Sequence, residues 1–110
     1  MGRIAKTLAL NSIESTDLQE LYVVPPGTNT TGAVLSFTNT TTNNIVISLF
    51  HNDGSTDFLM KKLTLPAGDG VERTYYTFQR RTFNAGHSIK VQADVNSKFN
   101  ASVHGAENEL

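Results

Sequence analysis

A chain of 110 residues fits a single domain and can bury roughly two thirds of its unfolded surface, enough for one core without covalent staples. It contains no cysteine, which excludes disulfides and thiolate metal sites. A formal net charge of −1 gives no global attraction to nucleic acid or anionic lipid, and no apolar run approaches the roughly 18 residues of a membrane helix, so neither is expected as a partner.

Thr occurs 14 times and Asn 10 times, types that suit strand surfaces and turns better than helix interiors, so an all-β fold is expected. Residues 1–17 read as an N-terminal arm or a first strand, with Ile4, Leu8 and Leu10 as apolar anchors. Lys6 breaks any secretory apolar region and stands where a myristoylation signal needs Ser or Thr. Thr16 with Gln19 has the form of a capping box, but the apolar run just after it favours a strand over residues 18–24, stopped by Pro25-Pro26-Gly27.

Residues 31–39 and 44–51 look like a hairpin folded about the polar Thr40-Thr41-Thr42-Asn43. Ala33, Leu35 and Phe37 share one face of the first half, and Ile45, Ile47 and Leu49 one face of the second, because side chains two apart lie on the same side of a strand. Asp53-Gly54 marks the next turn. Residues 58–65 follow as a strand whose alternation breaks at Lys61-Lys62, which points to a bulge. Strands are then expected over residues 71–78, 88–93 and 99–104, with a turn at residues 94–97 and a loose tail over residues 107–110. Val24-Pro25-Pro26-Gly27, Leu65-Pro66-Ala67-Gly68 and Phe83-Asn84-Ala85-Gly86 share one corner form, apolar to Gly, between strands. About seven or eight short strands with such corners predict one antiparallel β-sandwich over residues 18–110, jelly-roll or Ig-like in order.

Chemistry is sparse. His51, His87 and His104 lack metal-ligand spacing, although a sheet can bring two of them together. Asp53-Gly54-Ser55-Thr56-Asp57 has the acidic start of a calcium loop without its later acidic ligands, so it reads as a plain turn. No serine sits in a Gly-x-Ser-x-Gly elbow, and the carboxylates are scattered. No enzyme activity, cofactor or metal is expected. The most distinctive cluster is Tyr75, Tyr76 and Phe78 near Arg73, Arg80 and Arg81. Consecutive tyrosines on a strand point to opposite faces, so one of them is expected outside, where Tyr beside Arg suits a protein interface, a solvated edge, or stacking on a sugar or base.

Several stretches carry a family likeness: Leu21-Tyr22-Val23-Val24-Pro25-Pro26-Gly27, the strands at 34–39 and 45–50, and Leu63-Thr64-Leu65-Pro66-Ala67-Gly68. Phe83-Asn84-Ala85-Gly86-His87-Ser88-Ile89-Lys90-Val91 and the final strand through Val103 complete the set. In these the chain resembles small β-sandwich structural proteins of tailed-bacteriophage virions, over most of residues 18–107. The resemblance implies a virion building block assembled in the host cytoplasm, a capsid cement or decoration subunit first, a tail, collar or baseplate subunit second. Its partners are then other virion structural proteins, the major capsid protein or tail proteins, and further copies of itself. The expected contact residues are Ile4, Leu8 and Leu10 in the arm, with Arg73, Tyr75, Tyr76, Arg80 and Arg81. A carbohydrate-binding module using Tyr75 or Tyr76 is the expectation from another class.

Overall fold

Alternating apolar side chains dominate the chain, and each such run becomes a strand with one face turned inward. The computed structural model describes residues 3–67, 70–94 and 98–110, with side chains from residue 6 onward. Among them are eight strands: β1 (Arg3–Ile13), β2 (Gln19–Val23), β3 (Thr28–Asn39), β4 (Ile45–Asn52), β5 (Asp57–Leu65), β6 (Glu72–Tyr75), β7 (Ser88–Ala93) and β8 (Phe99–Glu109). No helix occurs among the described residues. The pairing is nested and antiparallel throughout: β1 with β8, β2 with β7, β3 with β6 and β4 with β5. Two further pairings, β3 with β8 and β4 with β7, complete a first sheet ordered β1-β8-β3-β6 and a second ordered β2-β7-β4-β5. First strand with last, second with next to last, is the order of a jelly roll and not of an Ig-like sandwich, in which the first strand pairs with the second and the last with the one before it.

The hairpin expected over residues 31–51 does not form. β3 belongs to the first sheet and β4 to the second, so the chain crosses the sandwich between them. Ala33, Leu35, Phe37, Ile45, Ile47 and Leu49 are all fully buried, and they line the core from opposite walls. A period of two fixes which face of a strand is buried; it does not fix which strand lies alongside. The crossing is organised by Asn39. Its Nδ2 donates to the carbonyls of Asn43 (2.8 Å), Pro66 (2.9 Å) and, more weakly, Leu65 (3.4 Å). Its Oδ1 accepts from the backbone N–H and the hydroxyl of Thr41, at 2.9 and 2.8 Å.

Both chain ends are built into the first sheet. The N-terminal segment is β1, an edge strand paired with β8 from Arg3↔Asn108 to Ile13↔Phe99. The expected loose tail is corrected: β8 runs to Glu109, and the N–H of Leu110 donates to Gly27 O at 3.0 Å. Glu107 explains the order. Its carboxylate accepts from the Tyr22 hydroxyl at 2.6 Å and pairs with Lys6 Nζ at 2.6 Å, tying β8 to β2 and β1. Since the one phenolic proton goes to Glu107, the Thr30 hydroxyl is the donor in its 2.8 Å bond to Tyr22. Lys6 first and Tyr22 next hold the Glu107 carboxyl below its usual range, while burial and then Glu107 push the Tyr22 hydroxyl up to about 12. Tyr22→Phe removes one atom from a buried three-way junction and is expected to cost about 1–3 kcal/mol, read from the midpoint of denaturant unfolding.

Other boundaries move for local reasons. β6 stops at Tyr75, where a strand to residue 78 was expected; a turn follows, with Gln79 N–H on Tyr76 O and Arg81 N–H on Phe78 O, both 3.1 Å. Around residues 15–19 there is a side-chain turn, Asp17 N–H donating to Ser15 Oγ at 2.9 Å. The bulge expected at Lys61-Lys62 sits one residue earlier: Leu49 faces Lys61 and Phe50 faces Leu59, so Met60 is the extra residue. Two of the three corner motifs turn on a glycine with positive φ, Gly27 at 75° and Gly86 at 84°; the third, at Gly68, and the turn at residues 95–97 lie outside the described residues. The largest buried side chains are Phe37, Phe78, Phe83 and Phe99. Phe37 meets Phe99 edge-on at 6.0 Å, and Phe78 meets Phe83 edge-on at 5.4 Å.

Candidate interaction surface

Alternation along the first sheet divides its side chains cleanly. Phe99, Ala101 and Val103 of β8 enter the core, so Asn100, Ser102 and His104 face out. Register extends this into rows across the outer face: Leu10, Ser102, Ser36 and Thr74 in one, Ser12, Asn100, Thr38 and Glu72 in the next, and Thr7, His104 and Val34 beyond.

The contact residues expected from sequence lie at the two edges of this sheet, with β8 and β3 between them. On β1, Leu10 is 75% exposed, whereas Leu8 packs partly onto the core. Ile4 lies outside the described side chains. At the other edge, Arg73 and Tyr75 are half-buried on β6, Tyr75 with its ring 5.9 Å from that of Phe37. Tyr76 is 61% exposed and, with the exposed Arg80 and Arg81, belongs to the β6–β7 loop. One tyrosine in and one out is therefore what the chain adopts. Phe78 leaves the cluster altogether, being fully buried.

The face between those edges was not legible as a surface in the sequence. It contains a shallow hollow of about 280 Å³, lined by Leu10, Ser36, Thr38, Glu72, Asn100 and Ser102 among others. Ser36 Oγ and Thr74 Oγ1 are 3.2 Å apart and satisfy each other. Ser102 is 7% exposed, and its hydroxyl has no hydrogen-bond partner among the described residues. In the rows above, Glu72 is the one formally charged side chain. The outer face of the second sheet differs: register places Glu20, Lys90, Lys62 and Asp57 on it, with Lys90 Nζ 3.3 Å from Asp57 Oδ1.

Two histidines do meet, at the end of the sandwich that carries the β6–β7 loop. His51 Nε2 and His87 Nδ1 are 2.9 Å apart, and the His51 ring lies 4.0 Å from that of Phe83. Phe83 in turn exchanges backbone hydrogen bonds with Thr30, at 2.8 and 2.9 Å, which pins the loop to β3. Burial first, then the neighbouring His87 and Arg81, depress the His51 pKa against the opposing pull of Asp53. A ring that resists protonation only in the folded state contributes stability that is complete above the unfolded value near 6.5 and is lost as pH falls through the folded one. Thermal stability is thus expected to fall from about pH 7.5 to about pH 5, with a shallower fall in His51→Gln; parallel curves for the two proteins would remove the histidine pair as the cause.

The neighbouring carboxylates are committed to the turn. Asp53 Oδ1 accepts from the N–H groups of Thr56 (2.8 Å) and Ser55 (3.1 Å), and Asp57 accepts from Asn52 Nδ2 at 2.7 Å. These bonds hold both carboxyls below the usual range. Among the described residues no three His, Asp or Glu side chains gather as a metal-binding group. A scan of protein-family models and a search of curated proteins find no match to the chain, so its residues, fold and surfaces are the ground for a functional reading.

Proposed function

We propose that this chain is a non-enzymatic structural subunit of a tailed-bacteriophage virion, a capsid cement or decoration protein that binds neighbouring virion proteins and stabilises the particle. The observation that carries the reading is the outer face of the first sheet, whose three named rows hold Glu72 as their one formal charge, bordered by the exposed Leu10 on one side and Tyr76 on the other. Interface cores are depleted in charge and enriched in Tyr and Arg, and symmetric assembly multiplies one modest contact many times. Two-sheet jelly rolls recur in viral capsids, which supports the reading as an analogy of fold. A tail, collar or baseplate subunit would use the same surface at lower copy number.

Removal of residues 1–13 is a poor test, because it deletes the whole of β1, an edge strand of the sheet. The direct experiment is to purify intact particles from the producing host and quantify this chain against the major capsid protein by mass spectrometry. A ratio matching the sites of the capsid lattice supports cement, and a few copies per particle supports the tail. Absence from purified particles overturns the virion role. The exposure of Tyr76, in a fold class that also includes lectins, favours a second reading as a glycan-binding module. Glycan-array binding that disappears in Tyr76→Ala would establish it.

A further inference from the structure

We propose that the outer face of the β1-β8-β3-β6 sheet is a two-fold interface between two copies of this chain, with Leu10 of each copy seated at the Ser36 end of the hollow of the other. The inference gives a surface to the self-association expected of a virion subunit, but it needs no virion to be true.

The face is complementary to itself. A protruding side chain, Leu10, stands at the rim of a hollow of about 280 Å³, and both are on one surface. An isologous contact presents the same patch twice, so each copy offers the knob that the other lacks. With the axis running along β8 and β3, β1 of one copy lies over β6 of the other, and Leu10 comes down on the Ser36–Thr74 end of its row.

Polarity fits the same arrangement. A face meeting its own copy also meets its own charges, and here Glu72 is the one formal charge in the rows. Under this axis Glu72 faces Ser12 of the other copy, a hydroxyl donor, and not a second carboxylate. The second sheet, with Glu20, Lys62, Lys90 and Asp57 outward, has no such neutrality. The Ser102 hydroxyl beneath this face is buried and has no hydrogen-bond partner among the described residues, unlike most buried polar groups.

Size is sufficient. β1, β3 and β8 are 11, 12 and 11 residues long. At about 3.4 Å per residue and about 4.8 Å between strands, the four-stranded face offers roughly 500 Å² per copy. Two such faces give about 1,000 Å² in total, the lower bound for a specific interface. Area alone does not set affinity, and the expectation put to the test is a moderate association in the micromolar range.

The test is sedimentation velocity on the full-length chain at about 50 μM, well above a dissociation constant of that order. The wild type is expected to sediment as a dimer. Leu10→Glu, at an exposed side chain, is expected to fold normally by circular dichroism and to weaken the dimer at least about tenfold. Asn100→Lys, also exposed and in the next row, is the second variant and is expected to act likewise. Lys62→Glu, on the opposite sheet, is expected to leave the dimer intact. A monomeric wild type, or a dimer that survives both first-sheet variants, overturns the proposal. A monomer that still co-purifies with particles, and loses that ability in Leu10→Glu, gives the face to a shell protein and leaves the virion reading standing. A dimer that never joins particles does the reverse.

Discussion

Phe83→Ala is expected to destabilise the chain by about 3–5 kcal/mol and to release the loop that carries Tyr76, Arg80 and Arg81. The ring is fully buried, edge-on to Phe78 at 5.4 Å and 4.0 Å from His51. Its backbone closes a two-bond bridge to Thr30, among the described residues the one point at which the β6–β7 loop is stitched to the first sheet by backbone bonds. Truncation leaves a cavity beneath the loop that the flanking strands cannot close without breaking register. Against a total stability of 5–15 kcal/mol typical of such domains, the loss is a large fraction. Two measurements check it: the midpoint of denaturant unfolding, and amide exchange at Arg81 and Phe83, which should rise above the change expected from global stability alone. Tyr76→Ala, at an exposed position on the same loop, should shift the midpoint by no more than about 0.5 kcal/mol. Equal effects from the two substitutions would mean that the ring does not anchor the loop.

The difference between those two aromatic residues was only half legible in the sequence. Neighbouring tyrosines on a strand must part, and Tyr75 and Tyr76 do. Nothing local marked Phe78 as core, because the strand ends three residues before it and the period of two no longer applies. Strand faces were legible in general: Ala33, Leu35, Phe37, Ile45, Ile47 and Leu49 are all inside. Partnership was not. β3 and β4 look like a hairpin because they are adjacent in sequence and both alternate, yet the nested jelly-roll pairing sends them to different sheets. The tail was misread for a similar reason: Gly105 to Glu109 lack a strong apolar pattern, and the reason for order lies in partners far away along the chain, Tyr22 and Lys6 against Glu107 and the pairing of β8 with β1 and β3. The candidate interface was hidden by the same logic. Ser12, Ser36, Thr38, Asn100 and Ser102 are ordinary polar positions when read singly, and become a neutral face only when register aligns three strands.

Asn39→Asp exchanges an amide NH₂ for an oxygen and is expected to cost about 3–5 kcal/mol at neutral pH, as much as a core truncation. Asn39 is 5% exposed, and its Nδ2 is surrounded by three carbonyl oxygens, those of Asn43, Leu65 and Pro66. Its Oδ1 already takes two hydrogen bonds from Thr41. A carboxylate keeps the Thr41 contacts but points its second oxygen at three acceptors with no proton between them. The cheapest remedy is to hold a proton, so the aspartate's pKa in the folded state must lie above its unfolded value near 3.9. The sign of the pH dependence follows. Stability lost to this site is restored below the unfolded value and disappears as pH rises through the folded one, so the variant should approach the wild type under acid and fall away from it toward neutrality. Asn39→Ala carries no charge and lets water reach the loop carbonyls; it should cost less, about 1–3 kcal/mol, with no added pH dependence. Denaturant midpoints for the three proteins from about pH 4 to about pH 7 separate these cases. If the aspartate and alanine variants lose stability equally at every pH, the crossing between the two sheets is held by packing, and the three-carbonyl clamp contributes nothing of its own.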